Sequence, residues 1–447
     1  MLNSMSGYRF VRLLCIATLL ASGLPFSAWS QTDLSLRDMI SQALEQNYQI
    51  RIYKNIARTA ENNNTRGNAG MYPTVGFVGE HRRSISNSRQ EFFTGDSQER
   101  NNAHSNATTA SLEVNWIVFD GLAMFARKEQ FDQLQLLSEA DTRFFMEETV
   151  ADLAMAYFEL KQQTQLLDTY RKTLEVSRAR LDFEAKALEI GTSNLLNVQL
   201  ARVDLNTDSS LVLNQEARVQ EIAVSINRLI NRELTAAVRP VDSIRLDADL
   251  NLSELLENAR AKNTALNRQY LAELVSASET KIAKGALFPR VELYGNYDFG
   301  RQQNEVGFLQ SSRTFGPEYG VRVRFNLFSG RQNRIAHQNA LIEQETEKLR
   351  TQDLDKQLEE SIRIAHLRWQ SRVRQAELES ENMQAAALAL DIARGQYELA
   401  ALTNVEFRVI QLNVVNAETR LLEAQYAAKI REIELLRLSG ALLERLQ

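Results

Sequence analysis

Few residues in this chain have the types and spacings that catalysis or metal binding requires. The single cysteine is Cys15, and the four histidines are His81, His104, His337 and His366. One cysteine cannot form a disulfide framework or a cysteine-based metal cluster. No ligand spacing supports a metal site at His81 or His104, and His337 and His366 are predicted to be surface residues on helices. The sequence therefore predicts neither a metal ion nor a cofactor.

Sequence motifs for covalent or phosphate chemistry are also missing. Serine, histidine and aspartate occur without the signature of a nucleophile elbow or a catalytic triad. The sequence contains no glycine-rich phosphate loop and no pair of histidines in an H-E-x-x-H arrangement. We therefore expect that the protein is not an enzyme.

The composition favours long helices and argues against a nucleic-acid partner. The 447 residues include 5 prolines and 18 glycines, so few positions would interrupt a helix. The 57 Asp and Glu residues outnumber the 52 Lys and Arg residues, and the formal net charge is −5. A chain that binds nucleic acid would normally carry a basic stripe instead.

Residues 1–30 have the pattern of a secretory signal peptide. Arg9 and Arg12 supply the positive end, and an apolar stretch covers residues 11–24. Small residues at the two positions that a signal peptidase reads predict cleavage before Gln31. A short transmembrane anchor is the alternative, but the apolar run is short and interrupted. The sequence therefore predicts an exported protein.

The rest of the chain is predicted to consist of two consecutive copies of one structural unit. The paired landmarks are 33–36 with 249–252, 71–73 with 287–289, 119–121 with 328–330, and 228–229 with 437–438. These landmarks keep their order and an offset of about 210 residues, which is typical of a tandem repeat. We predict a first repeat over residues 31–246 and a second over 247–447, with a connector at 232–247.

Four stretches of alternating apolar and polar residues predict β-strands with one apolar and one polar face. They cover about residues 72–81, 110–119, 289–299 and 319–328. Each stretch is about as long as a strand that crosses a bilayer, 9–11 residues. Aromatic residues cluster at the strand ends, namely Tyr72, Phe119, Phe288, Tyr319 and Phe328. A soluble sheet is the alternative, but the length and the aromatic ends favour a membrane barrel.

The strand count predicts an oligomer if the strands lie in a membrane. Residues 82–109 and 300–318 are polar and are expected to form outer loops between paired strands. An open sheet leaves unpaired backbone groups in lipid, and the smallest bacterial barrels have about eight strands. Two chains would give eight strands around a filled interior, whereas three chains would give twelve around an open lumen. We therefore predict a trimer in which the polar strand faces line water.

Long runs with few breakers predict four long helical segments. Two of them cover about residues 123–190 and 331–400, and the returning arms cover about 194–231 and 404–439. Apolar residues recur at steps of three and four in the returning arms, which is typical of a coiled-coil seam. A soluble bundle would have the same seam, so this pattern alone leaves both arrangements open.

The order of these features resembles the TolC family of outer-membrane efflux proteins over essentially the whole mature chain. The resemblance rests on the duplicated helix–strand–loop–strand–helix unit, on the aromatic-proline pairs 72–73 and 288–289, and on the helix-turn motifs 190–199 and 400–407. It implies an α+β membrane protein with four transmembrane strands per chain. A trimer would then form a twelve-stranded barrel in the outer membrane, continued by a long coiled-coil helical barrel in the periplasm.

The resemblance also implies a function, partners and a site. The protein would be the exit duct of a tripartite efflux pump or a type I secretion system. Its partners would be two more copies of itself, a periplasmic adaptor (membrane fusion) protein, an inner-membrane pump or ABC exporter, and outer-membrane lipid, but not nucleic acid. The helix-hairpin tips that meet the adaptor would be Gly191, Thr192, Ser193 and Asn194, with Ala401, Leu402, Thr403 and Asn404.

Two residues near these tips are candidates for a gate. They are Asn197 in the first repeat and Glu406 in the second. A ring of three Glu406 carboxylates would narrow the pore and favour cations, and the alternative is a solvated surface charge. An exported periplasmic coiled-coil adaptor or structural protein is the alternative function. The duplication and the aromatic strand ends argue against that alternative.

Overall fold

The computed structural model describes residues 33–247, 250–399 and 401–446. The predicted signal peptide, residues 1–30, lies outside the described residues. The helices in the described part are α1 (Leu36–Gln46), α2 (Tyr48–Asn63), α3 (Ala123–Glu189), α4 (Leu195–Leu229), α5 (Leu252–Lys262), α6 (Thr264–Gly285), α7 (Gln332–Glu398), α8 (Asn404–Leu438) and α9 (Leu442–Leu446). The strands are β1 (Asp33–Leu34), β2 (Thr74–Glu91), β3 (Ser97–Phe119), β4 (Arg239–Pro240), β5 (Arg290–Asn304) and β6 (Ser311–Arg324).

The helices repeat in length from one half of the chain to the other. Helices α1 and α5 have 11 residues each, α3 and α7 have 67 each, and α4 and α8 have 35 each. At 1.5 Å per residue, α7 is roughly 100 Å long. The offsets between matched helices are those of the sequence landmarks. The predicted internal repeat is therefore confirmed.

An asparagine ends the short first helix of each repeat and caps the next helix. The side chain of Asn47 accepts a hydrogen bond from the backbone N–H of Gln49 at 2.8 Å, and that of Asn263 accepts one from Leu266 at 2.9 Å. Each cap satisfies a backbone donor that the first turn of a helix leaves unpaired. Each repeat therefore begins with two helices before its strand pair.

The chain divides into two compact units. Within the described residues, one unit contains residues 33–39 and Ala156–Ile244, and the other contains Ile40–Met155 and the residues from Arg245 onward. In the first unit, β1 pairs in parallel with β4 of the connector. In this unit Leu160, Ile226 and Ile230 are fully buried. The apolar seam of α4 therefore packs inside the unit, as its spacing predicted.

The second unit contains a four-stranded antiparallel sheet in the order β2-β3-β5-β6. Strands β2 and β3 form one hairpin and β5 and β6 form the other, and β3 pairs with β5 between the hairpins. Strands β2 and β6 are the edges, and each has one row of backbone groups that pairs with no strand among residues 33–247, 250–399 and 401–446. The core of this unit is helical and includes the fully buried Ile362, Ile433 and Leu435.

The hairpins are longer and their turns shorter than the alternation predicted. Pairing of β2 with β3 continues from Arg82 opposite Ala107 to Glu91 opposite Ser97, inside the expected outer loop 82–109. The expected loop 300–318 is likewise mostly strand. A hairpin that has water on both faces carries polar residues on both faces. The alternation of apolar and polar residues is then lost, although the backbone hydrogen bonds between the strands continue.

The fourth strand ends earlier than predicted. It was expected over 319–328, but β6 ends at Arg324, whose partner is Arg290. The residue before Arg290 is Pro289, which has no backbone N–H to extend the ladder. Beyond this point Leu327 and Phe328 are exposed and lie outside the strand.

Candidate functional site: the two-faced sheet and the hairpin turns

One face of the sheet is apolar across all four strands. Leu112 of β3 lies opposite Phe77 of β2 and Tyr297 of β5, and residues directly opposite in register share a face. Over nine residues of each of the last three strands, this face consists of Ala110, Leu112, Val114, Trp116 and Val118, then Val291, Leu293, Gly295, Tyr297 and Phe299, then Phe315, Pro317, Tyr319, Val321 and Val323. We call it the apolar band. Its large side chains are mostly exposed, so the described part of the chain leaves them largely uncovered.

The opposite face of the sheet is polar and internally hydrogen-bonded. Ser111 of β3 donates to the Asp298 carboxylate at 2.6 Å, and Asn296 donates to the same carboxylate at 3.0 Å. Nearer the helices, the Arg322 guanidinium lies 3.9 Å from the Glu292 carboxylate. A sheet with one apolar and one polar face separates an apolar environment from water.

A glycine on the edge strand makes room for a tyrosine of the polar face. The ring of Tyr294 lies across Gly320, where a Cβ would come within 2.8 Å of the phenol oxygen. The Arg322 guanidinium lies 4.4 Å from the centre of the same ring, within cation–π range. The tyrosine therefore fills the gap that the glycine leaves in the sheet.

Both strand pairs leave the sheet through the same unusual backbone. The first exit has positive φ at Gly121 and Leu122, with values of 71° and 68°. The second has positive φ at Gly330 and Arg331, with values of 59° and 67°. Two consecutive left-handed residues turn each strand sharply into a long helix. The repeat landmarks 119–121 and 328–330 therefore lie at equivalent turns.

The first hairpin turn joins α3 to α4 through a left-handed glycine. Gly191 has φ of 76° and no other atom near the position a Cβ would take. The backbone N–H of Thr192 donates to the carbonyl of Ala187 at 2.8 Å, and the Thr192 hydroxyl donates to the same carbonyl at 3.1 Å. This is how a glycine ends a helix, because the turn satisfies carbonyls that the last turn leaves free.

The remaining polar groups of the first turn bind within the same hairpin. Ser193 donates to the Glu184 carboxylate at 2.6 Å, and its hydroxyl accepts from the side chain of Asn197 at 3.2 Å. Asn194 caps α4 by accepting from the backbone N–H of Asn197 at 3.0 Å. Asn197, a predicted gate residue, thus has two hydrogen-bond partners beside the turn.

The second hairpin turn joins α7 to α8 and ends in a capping box. The Thr403 hydroxyl accepts from the backbone N–H of Glu406 at 3.3 Å, and the Glu406 carboxylate accepts from the Thr403 N–H at 2.9 Å. The Thr403 hydroxyl also donates to that carboxylate at 2.6 Å, and these bonds lower the pKa of Glu406. Ala401 and Leu402 precede the cap. The Glu406 carboxylate therefore remains charged at neutral pH.

Of the eight predicted tip residues, seven lie in the two turns and Asn404 begins α8. Asn404 is buried, with 9% of its surface exposed. Next to it the ring of Phe407 stacks on Tyr397, with centroids 4.8 Å apart. The stacked rings hold the two helices of the hairpin together below the turn.

The sequence analysis did not predict a row of buried polar side chains between α3 and α4 of the first hairpin. Arg180 of α3 is 3% exposed and forms an ion pair with Asp204 of α4. One turn away, Ser177 donates to the Asp208 carboxylate at 2.5 Å. The sequence did contain an indication of this row, because the polar residues 177, 180 and 184 are spaced by three and four positions, as residues on one face of a helix are.

One histidine lies in a different environment from the one predicted. His366 was expected at the surface, but it is 8% exposed. Its Nε2 lies 2.9 Å from the carbonyl oxygen of Leu250 and donates to it, since a carbonyl can only accept. The hydrogen bond satisfies the buried ring N–H, and its acceptor lies 116 residues away in the chain, so the pattern of α7 alone did not indicate this burial.

Comparison with solved structures shows which class of proteins has this fold. The crystal structures of the CmeC outer membrane channel of Campylobacter jejuni and of the outer membrane protein VceC of Vibrio cholerae have the same fold, with TM-scores of 0.76 and 0.72. CmeC is 12% identical, and the match covers 91% of this chain and 86% of CmeC. VceC is 16% identical, and the match covers 91% of this chain and 96% of VceC.

The open state of the MtrE outer membrane channel of Neisseria gonorrhoeae also matches, with 17% identity and a TM-score of 0.68. That match covers 91% of this chain and 89% of MtrE. No curated protein sequence matches the chain. Among the described residues, no helix is both long and apolar enough to cross a membrane. The fold is that of outer-membrane channels.

The family comparison agrees with the fold. The family model described as Outer membrane efflux protein matches residues 39–232. The chain thus carries an outer membrane efflux protein domain, and the resemblance to the TolC family is confirmed. Members of this family are channels of the outer membrane.

Proposed function

We propose that this chain forms a trimeric outer-membrane channel that serves as the exit duct of a tripartite efflux pump or a type I secretion system. The observation that carries the proposal is the sheet with a continuous apolar band, a hydrogen-bonded polar face and two unpaired edges. Lipid would cover the apolar band, and water would fill the space against the polar face. This arrangement suits a wall between bilayer and lumen.

The unpaired edges require further strands. In lipid, each unpaired backbone N–H or C=O costs several kcal/mol, so β2 of one copy must pair with β6 of the next. Three copies close twelve strands around a lumen wide enough for water, whereas two copies would fill it with side chains. The chain therefore needs two more copies of itself.

The long helix α7 supports the same assembly. Its exposed large apolar residues are Ile335, Leu341, Ile342, Leu349, Ile364, Leu367, Leu378, Leu388 and Ile392. Ile335, Ile342 and Leu349 are spaced by seven residues, which is the repeat of a coiled-coil seam. A neighbouring copy would bury this stripe and continue the barrel as a helical wall in the periplasm.

The hairpin turns are the proposed docking points for a periplasmic adaptor protein. Apart from Leu402 their residues are polar or small, and the turns expose Ile190, Leu195 and Leu399. Small turn residues let another helical hairpin approach closely, and the exposed apolar side chains supply contact area. The energy for transport would come from an inner-membrane pump or ABC exporter, and the passage itself would involve no chemistry.

The decisive experiment is the native mass of the mature protein after extraction from outer membranes in mild detergent. A mass of three subunits, with single-channel currents in planar bilayers, is the expected result. A monomer recovered from the soluble periplasm would leave the sheet edges open and would support the adaptor alternative instead.

A further inference from the structure

A row of polar and basic side chains borders the apolar band at the end nearest the β2–β3 and β5–β6 turns. In the register of the sheet, His81 lies opposite Thr108, Thr108 opposite Arg301, and Arg301 opposite Arg313. Arg83 lies two residues farther out on the same face. We call His81, Thr108, Arg301 and Arg313 the basic row. His81, Arg301 and Arg313 are exposed.

The basic row lies directly beside the last apolar row. Phe299 and Phe315 are paired across β5 and β6, and Arg301 and Arg313 are the next pair on the same face. The apolar band below them is nine residues long on each of these strands, which matches the hydrocarbon core of a bilayer. If the band spans that core, the basic row lies at the depth of the lipid headgroups.

The two arginines of the basic row, on β5 and the edge strand β6, have uncompensated charge. Arg301 and Arg313 are directly opposite in the ladder, where Cβ atoms are about 5 Å apart and like charges destabilise the pairing. Neither guanidinium has an ion-pair partner among the described residues. On the polar face of the same strands, by contrast, Arg322 lies near Glu292. An anion between Arg301 and Arg313 would remove the repulsion.

We propose that Arg301 and Arg313 bind a phosphate group of an outer-leaflet lipid, with Thr108 and His81 extending the site. The proposal rests on the membrane-channel function proposed above. Guanidinium groups match phosphate oxygens in paired hydrogen bonds, and two of them neutralise a dianion. The aromatic pair Phe299 and Phe315 lies at the interface depth, where rings contact the lipid below its headgroup. A trimer would carry three such sites on its outer surface.

The test compares three double variants with the unmodified channel. One is Arg301→Gln with Arg313→Gln. The control is Arg290→Gln with Arg324→Gln, because these arginines are also paired directly across β5 and β6, but on the polar face and at the opposite end of the strands. A third variant, Arg301→Lys with Arg313→Lys, keeps the charge and checks that the strands tolerate substitution.

Each protein is extracted from outer membranes in mild detergent, and native mass spectrometry counts the phosphorylated lipids that stay bound. We expect the first variant to retain at least about tenfold less lipid, the scale of one lost charge-assisted hydrogen bond. The control should retain as much lipid as the unmodified channel, and the lysine variant should retain an intermediate amount. Equal retention in all four proteins would overturn the inference.

The source of the phosphate is tested with delipidated channel and three probes: diphosphoryl lipid A, phosphatidylglycerol and inorganic phosphate. We expect the two lipids to bind and inorganic phosphate at the same concentration not to compete. Competition by inorganic phosphate would reduce the site to a free-phosphate site and overturn the lipid assignment. A trimer that conducts but retains no lipid would reject this inference alone, whereas a soluble monomer would reject the channel function with it.

Discussion

Gly121 and Gly285 touch each other where β3 turns into α3 and α6 ends. A Cβ on Gly121 would lie 2.3 Å from the carbonyl oxygen of Gly285, and a Cβ on Gly285 would lie 2.8 Å from the Cβ of Ala123. Gly121 also has φ of 71°, in the left-handed region. The two backbones can meet only because neither residue has a side chain. This contact fixes the angle at which the sheet passes into the long helix.

Replacing Gly121 with alanine should therefore lower the stability of the protein markedly. The overlap with the Gly285 backbone and the left-handed φ together should cost about 2–4 kcal/mol. Thermal unfolding in detergent, followed by circular dichroism, measures the loss. The matched control is Gly395→Ala, because Gly395 lies in α7 with no atom near its Cβ position. That change should be neutral or stabilising by about 0.5–1 kcal/mol, and an unchanged Gly121→Ala protein would contradict the prediction.

Tyr157 anchors the connector between the repeats. Its hydroxyl donates to the Asp242 carboxylate at 2.7 Å and accepts from the Asp242 backbone N–H at 3.0 Å, and the ring is fully buried. The same carboxylate accepts from the backbone N–H of Leu36 at 2.9 Å. Tyr157→Phe should lower the free energy of unfolding by about 1–3 kcal/mol, because it removes both hydrogen bonds between the buried ring and Asp242. Tyr270→Phe, at an exposed tyrosine, should have almost no effect.

The same tyrosine should make stability depend on pH in the alkaline range. Burial raises the pKa of Tyr157 above its usual value of about 10. The unfolded chain then loses this proton at lower pH than the folded protein does. Its contribution is complete below about pH 10 and declines as the pH rises toward the folded pKa. Urea unfolding between pH 8 and 11 should show a steeper fall for the native sequence than for Tyr157→Phe.

The pair between buried Arg180 and half-buried Asp204 should stabilise its hairpin more than the more exposed pair Arg171 and Glu216. Both pairs join α3 to α4, but the Arg180 side chain is 2% exposed and that of Arg171 is 52% exposed. Arg180→Met should cost about 2–4 kcal/mol, since it leaves Asp204 without its buried partner. Arg171→Met should cost at most about 1 kcal/mol. Double-mutant cycles with Asp204→Asn and Glu216→Gln measure the two couplings, and equal couplings would refute the ranking.

Glu406→Gln separates a role in the pore from a role in the helix cap. Glutamine can keep the bonds to Thr403 in a capping box, so the turn should fold normally. If three Glu406 carboxylates line the pore, the variant should lose part of its cation selectivity in bilayer recordings. Unchanged conductance and selectivity would reject the gate hypothesis. Glu381→Gln, an exposed change elsewhere on α7, is the control.

Local sequence patterns were enough to predict those helices and strands in which each face lies against a single environment, either apolar or polar. The alternation from Val291 to Phe299 marks a strand between an apolar and a polar medium, and the landmarks at 119–121 and 328–330 mark equivalent turns in a repeat. These predictions succeed because the period of a helix or strand is imposed on neighbouring residues by their shared surroundings. Near both turns of the sheet the surroundings are polar on both sides, so the strand ends were mistaken for loops.

Contacts between residues far apart in the chain were decided by tertiary structure. The sequence placed Gly121 in a repeat landmark, but no nearby residue indicated that Gly285 would be its neighbour. His366 was placed at the surface, although folding buries it against the Leu250 carbonyl. The opposition of Arg301 and Arg313 depends on strand register, which the hairpin sets as a whole. Periodicity is a property of a short segment, whereas register and burial are properties of the folded chain.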